Sequence, residues 1–281
     1  MSIGAHMVHG IRPNKKPQIF SVSSGKGGVG KTLTTIHLAL SWQNLGKDVL
    51  IIDGDLGLAN IDVMLGLHAK KTIHDVIEEN CNVADIALDG PFGLKILPGG
   101  SGIAGLSNLS SVQRHVLSSK LKMYINSFDV VVIDNGAGIN SNVTEFTKMA
   151  QQSVIVTTPE PHAITDAYAL IKVLSESIPG HKIKVLINMA RTKTEAENVY
   201  LRLSEVARQF LGVHVDFLGS IPSDPQVTGM VRGGNIAKGH SIQTLAGQSW
   251  RTIGSVLAQG FEALEADYSL SAPSRPRQMA Y

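Results

Sequence analysis

Two lysines stand five residues apart in a glycine-rich stretch, "SSGKGGVGKT" at 23–32. Gly25, Gly30, Lys31 and Thr32 satisfy G-x-x-x-x-G-K-[ST], the pattern of a loop whose backbone N–H groups cradle phosphate oxygens. Gly27, Gly28 and Val29 complete that loop, Lys31 would reach the outer phosphates as a point charge, and Thr32 would ligate Mg²⁺. Gly25, Gly27 and Gly30 also satisfy G-x-G-x-x-G. Asp53 closes the next apolar run, about where a dinucleotide-binding fold holds a ribose. A dinucleotide site needs neither Lys31 nor Thr32, whereas a phosphate loop uses both. The run "VVVID", ending at Asp134, then supplies the acidic residue that hydrated Mg²⁺ requires. The phosphate loop is the stronger reading, and Lys26 is the one residue it leaves over.

Two further segments carry chemistry. In "IIDGDLGLAN", Asp53 and Asp55 leave the strand on the same side if the strand continues that far. Asp53 is then placed to hold Mg²⁺ through water and Asp55 to orient an attacking water. "DGD" is also good turn chemistry, so one of the two carboxylates capping the turn is the competing reading. In "DNGAGI", Gly136 and Gly138 follow Asp134 directly; they permit backbone rearrangement when a terminal phosphate arrives or leaves, or simply make a tight turn.

Such a site must be held by strands that end together. Apolar runs bounded by turns occur at 18–22, in "DVLIID", and at 94–97, 129–134, 153–158, 182–188 and 215–221, with helix-length segments between most of them. Continuous Val/Ile runs alternating with helices predict an α/β fold, a mainly parallel sheet covered by helices on both faces, with ligands at the carboxyl ends of the strands. The helix after the loop is expected to stop near Gly46. The boundaries expected are an N-terminal extension 1–17, one nucleotide-binding domain 18–268, and a flexible tail 269–281 rich in Pro and Ser. With 25 basic and 23 acidic residues, the charge balance favours neither a DNA-coating nor an acidic-partner surface. The single cysteine, Cys81, excludes an internal disulfide, and the opening residues lack a secretory pattern, so a cytoplasmic protein is expected.

"KGGVGKT", with its additional lysine, resembles the deviant Walker A motif of the MinD/ParA family of P-loop ATPases, over roughly residues 18–245. The resemblance implies that Lys26 reaches across a nucleotide-sandwich homodimer to the phosphates bound by the partner, much as an arginine finger does. "DGDLGLANIDVMLGL", "IDNGAGI" and "TTPEPHAITDAYALIK" look like the FlhG/FleN group of flagellar number regulators within that family. ATP and Mg²⁺ are the implied ligands; Asp55, Asn60, Gly136 and Gly138 are the implied switch residues. By the same resemblance Asn188 would contact the adenine, Pro222 and Asp224 would pass beside it in "IPSD", and Arg191 would stack nearby. The implied partners are an FlhF-like GTPase, basal-body switch proteins and a flagellar transcription activator. The chain departs from the pattern at Leu33, where a small hydroxyl residue often stands, and at Asn135, often threonine. It also lacks the D-Q-A-x-x-L-R motif through which such proteins stimulate the GTPase.

The segment 241–265 offers Ile242, Leu245, Ile253, Val256, Leu257, Phe261 and Leu264 at helical spacing. Two readings are open: a last helix packed on the core, or a reversible anchor that places the protein peripherally on the inner membrane at the cell pole. Arg251 is the only Lys or Arg in it, against two glutamates, which favours the core. DNA is disfavoured as a partner by the charge balance, and His6, His9 and His162 show no metal-ligand grouping. The reading is an ATP-dependent dimerising switch ATPase, slow until stimulated. The alternatives are a MinD- or ParA-like positioning ATPase for division or DNA partitioning, and a nucleotide-binding scaffold without hydrolysis.

Overall fold

Val/Ile runs without polar alternation must be buried on both faces, and the computed structural model buries them in one sheet. It describes residues 16–78, 81–100, 109–232, 236 and 244–271, without the side chains of 232 and 260–271. The strands are β1 (Gln18–Ser24), β2 (Val49–Gly54), β3 (Leu88–Asp89), β4 (Lys95–Leu97), β5 (Val130–Ala137), β6 (Gln152–Thr157), β7 (Lys182–Ala190) and β8 (Asp216–Pro222). Their order is β3-β4-β2-β5-β1-β6-β7-β8. All pairings are parallel except β3 with β4, a short antiparallel edge that is too brief to leave a sequence pattern.

The helices are α1 (Lys31–Asn44), α2 (Ile61–Leu65), α3 (Ile73–Glu78), α4 (Val83–Ile86), α5 (Ser111–Ile125), α6 (Ser141–Lys148), α7 (Pro161–Ser177), α8 (Lys193–Leu211), α9 (Pro225–Arg232) and α10 (Leu245–Ser271). Side chains alternate across each strand, and the core divides accordingly. Phe20, Val22, Ile51, Val132 and Val154 pack against α1 and α10. Ile19, Leu50, Ile52, Val131 and Ile133 face the opposite layer, under α3 to α6. On that second face α7 and α8 cover Ile155, Val185 and Ile187. Gly46, with φ 75°, follows the end of α1 as its composition requires.

The last helix separates the two readings of segment 241–265. Ala246, Trp250, Ile253 and Leu257, spaced as one helix face, are buried against α1 and β8. Trp250 stacks on His37 with ring centroids 4.1 Å apart, and the Trp42 indole N–H donates to the Gly254 carbonyl at 2.9 Å. A Cβ at Gly254 would lie 2.6 Å from that of Ser41, so glycine permits the two helices to touch. Leu245 and Val256 remain exposed. The first half of α10 is therefore a core helix, and its key residue, Trp250, is one that the aliphatic spacing passes over. Ile242, residues 1–15 and residues 272–281 lie outside the described residues, as do the side chains of Phe261 and Leu264. α10 runs to Ser271, into the segment expected as tail. No helix among the described residues is long and apolar enough to cross a membrane.

Candidate nucleotide-binding site

Because β1, β2, β5, β6 and β7 run parallel, their carboxyl ends meet on one edge of the sheet. The loop 25–30 lies there, between β1 and α1. Gly30 occupies the N-cap of α1 at φ 85°, without a side-chain cap and without an acidic residue in the first turn. The helix thus presents bare N–H groups and the positive end of its dipole, an anion site by construction. Added Cβ atoms at Gly27 and Gly28 would meet nothing within 4 Å, so the mouth of the cradle is open. Its walls are tight: Ser24 Oγ donates to the Lys26 carbonyl at 2.9 Å, and the Asn188 amide donates to the Val29 carbonyl at 2.7 Å. A Cβ on Gly25 would stand 2.1 Å from the backbone oxygen of Asp166 in α7. Gly25→Ala must therefore push loop and helix apart, and it is expected to weaken ADP binding about 10-fold or more by misplacing the phosphate cradle. Titration calorimetry on folded variant checks this; unchanged affinity would mean that α7 yields freely.

Below the loop, Lys31 is buried and its ammonium donates to Asp134 Oδ1 at 3.1 Å. Asp134 also accepts from Thr32 Oγ1 at 2.7 Å and from Thr35 Oγ1 at 2.9 Å. Hard oxygens of Thr32 and Asp134 thus converge beside the cradle, a donor set that suits Mg²⁺ with its remaining positions filled by water and phosphate. Asp53 pairs with Asp134 across the β2–β5 ladder. Its carboxylate accepts three backbone N–H bonds from its own loop: Asp55 at 3.1 Å, Asn60 at 3.0 Å and Ile61 at 3.1 Å. Burial, reinforced by the charge of Asp134, raises its pKa to about 7. Through these bonds Asp53 organises the loop that carries Asp55 and Asn60, a contact of the kind that the turn-capping reading gave to one of the pair.

Asp55 is partly exposed; its Oδ1 accepts from the Leu58 N–H at 3.3 Å. A Cβ on Gly136 would lie 3.4 Å from that same oxygen, so the segments after β2 and at the end of β5 abut at a glycine. Gly138, at φ 92°, donates its N–H to the Ser24 carbonyl at 2.9 Å, tying the segment after β5 to the root of the loop. Asn60 stands at the N-cap position of α2 without a side-chain capping bond, and its amide donates to the Leu58 carbonyl. Asn135 is fully buried and its amide donates to Ser23 Oγ and Thr147 Oγ1. The residue that departs from the family pattern therefore bridges β1, β5 and α6.

On the other side of β1 the last residues of β6, β7 and β8, Thr157, Ala190 and Pro222, are uncharged, and Glu160, Arg191 and Asp224 follow them. Asn188 lies 3 % exposed at the end of β7, its amide turned toward the loop backbone. Arg191 is exposed and its backbone N–H is held by Glu195. Pro222 ends β8. Asp224 accepts from Gln226 N at 3.0 Å and from Ala246 N at 3.3 Å, joining α9 to the start of α10. Asn188 thus borders the cradle and Pro222 pairs with Ala190 at the end of the β7–β8 ladder, whereas both Asp224 oxygens are engaged in the scaffold.

Lys26 does not join the buried cluster. Its ammonium stands on the rim, 2.6 Å from Glu160 of the α7 N-terminus, with both side chains substantially exposed. The hydrogen bond and charge of Lys26 lower the Glu160 pKa. Glu160, like Thr35, was not singled out in the sequence; the signal was an acidic residue directly after a strand in "TTPEP". His162, nearby on α7, is exposed, and no cluster of three metal-ligating side chains occurs among the described residues.

A family model described as an AAA domain matches residues 17–187. The chain is similar to the antiactivator FleN of Pseudomonas aeruginosa, with 42% identity over 210 residues, three-quarters of each chain. It is similar to the flagellum site-determining protein YlxH of Helicobacter pylori, with 32% identity over 87% of this chain and 83% of the relative. Among solved structures, the MinC:MinD cell division protein complex of Aquifex aeolicus matches with a TM-score of 0.68 and 27% identity, covering 86% of this chain and 96% of that one.

Proposed function

The chain belongs to the MinD/ParA family of P-loop ATPases, and on that premise we propose that it is an ATP-dependent dimerising switch that regulates the number or placement of flagella. The likeness to FleN and YlxH supports the flagellar role. The observation that carries the mechanism is the separation of the two lysines: Lys31 is buried on Asp134, while Lys26 is held on the rim by an exposed glutamate. Exposed ion pairs are weak and screened, so Lys26 is readily given up to a stronger anion. The phosphates bound by a second copy are such an anion.

In this reading ATP and Mg²⁺ are the ligands. Loop N–H groups of 25–32 and Lys31 grip the phosphates; Thr32 and Asp134 hold Mg²⁺ directly or through water. Bound Mg²⁺ would neutralise charge that builds on the transferring phosphoryl group. Asp55 orients the attacking water, and Lys26 completes the partner's site, so hydrolysis waits on dimerisation and remains slow until a partner stimulates it. Asp55, Asn60, Gly136 and Gly138 form the segments that respond to the terminal phosphate. Asn188 and Pro222, with Arg191 close by, border the base.

The output is a regulated contact. "Antiactivator" names a protein that opposes an activator, which supports a flagellar transcription activator among the partners; an FlhF-like GTPase and basal-body proteins are the other proposed contacts. The proposed location is cytoplasmic, with peripheral contact at the polar inner membrane. Since α10 packs one face on the core through Leu257, its buried face is withheld from lipid. The test is light scattering with ADP and with ATP. The wild type is expected to dimerise only with ATP, and Lys26→Ala to stay monomeric in both. A variant that dimerises like the wild type would remove Lys26 from the partner's site.

A further inference from the structure

Two non-glycine residues among the described ones adopt positive φ, and one of them, Met189 at φ 57°, stands at the rim of the nucleotide site. L-residues enter this region only when their surroundings compel it. The compulsion is visible on both sides. Asn188 is fixed by its amide bond to the Val29 carbonyl at 2.7 Å, and the Ala190 carbonyl accepts from Ser223 N at 2.9 Å, where the β7–β8 register shifts. Between these anchors the chain turns Met189 outward instead of into the sheet. Its side chain is 45 % exposed, and its terminal methyl lies 3.7 Å from where a Cβ on Gly30 would be. A flexible apolar side chain is thus held in water, against the glycine that starts α1, at a conformational cost.

The site's charge distribution says what it awaits. The carboxylates Asp53, Asp55 and Asp134 all belong to the ends of β2 and β5, on one side of β1; β7 and β8 lie on the other side. A bound nucleoside polyphosphate would direct its phosphates toward Lys31 and the acidic side, leaving its base to extend toward Asn188 and Met189, where the last strand residues of β7 and β8, Ala190 and Pro222, are uncharged. A thioether is polarisable and packs well on an aromatic ring. We propose that Met189 is the apolar platform for the purine base, presented by a left-handed backbone turn. This rests on the nucleotide reading above. It adds a specificity-determining residue that favours stacking bases without distinguishing them by hydrogen bonding.

Glycine tolerates positive φ and has no side chain, so Met189→Gly separates strain from contact. The variant is expected to unfold at a higher temperature than the wild type while binding ADP about 10-fold more weakly, with inorganic tripolyphosphate affinity unchanged. Met189→Leu, which keeps an apolar side chain, is expected to bind ADP within about 3-fold of the wild type. A Met189→Gly variant that is stabilised with unaltered ADP affinity would make Met189 a bulge residue only and overturn the proposal. Equal losses for ADP and tripolyphosphate would overturn it too, as a general distortion of the loop. If the wild type binds inorganic pyrophosphate, the phosphate part of ADP, as tightly as it binds ADP, the base contributes nothing and the platform is refuted, although the phosphate loop stands. If it binds neither, the nucleotide reading fails and takes the platform with it.

Discussion

Asp55→Ala is expected to lower ATP turnover on the order of 100-fold while leaving the ATP-bound dimer intact, because general-base and water-orienting groups contribute about that much. Three carboxylates stand at the strand ends, and the structure separates their tasks. Asp134 accepts Lys31, Thr32 and Thr35. Asp53 is buried and accepts three backbone N–H bonds. Asp55 alone of the three is partly exposed, and a single weak bond, 3.3 Å from the Leu58 N–H, holds it. It retains acceptor capacity for a water, and it faces Gly136, where the absence of a side chain leaves room for one. Single-turnover hydrolysis measured beside light scattering decides the matter. Loss of turnover with a persistent dimer assigns the water to Asp55. Turnover within a few-fold of the wild type would move that role elsewhere, and loss of the dimer would make Asp55 part of the interface.

The cluster was legible in the sequence for a physical reason: phosphate chemistry requires its donors in one loop and its acids at neighbouring strand ends, and both are local patterns. Lys31, Thr32 and Asp134 meet because Val/Ile runs alternating with helices form a parallel sheet whose strand ends lie together. Contacts that depend on which strands become neighbours were not legible. Lys26 and Glu160 are 134 residues apart and meet because β6 lies beside β1. Pattern could not divide the labour between Asp53 and Asp55 either, since that depends on where the N–H groups of residues 55, 60 and 61 point. The last helix was ambiguous because its aliphatic spacing suits lipid and core alike. Trp250 resolves it, but only through its partner His37, which lies on a helix more than 200 residues earlier.

Lys31→Met should show the second large effect, and show it twice. Methionine keeps an unbranched side chain one atom shorter and removes the charge, so nucleotide affinity is expected to fall by about 100-fold or more, the loss of strong charge-assisted contacts to phosphate. The unliganded protein should suffer as well. Lys31 is the buried cation on Asp134, and breaking a buried pair by removing one partner costs ~3 kcal/mol or more. The pH dependence identifies the cause. The pKa of Asp53 in the folded state is about 7, raised from 3.8, so the fold binds its proton more tightly than the unfolded chain does. The stability this contributes is full below the unfolded value and is lost as pH rises through about 7. Below about pH 7 the buried Asp53 holds its proton and adds no charge beside Asp134; above it, its charge is added to a site that in the variant has lost its buried cation. The deficit of Lys31→Met relative to the wild type in urea unfolding should therefore be larger at about pH 8 than at about pH 5.5. Equal deficits at both values would show that Lys31 acts on the phosphates without compensating the carboxylate pair, whereas a growing deficit makes one lysine responsible for holding both the empty site and the bound nucleotide.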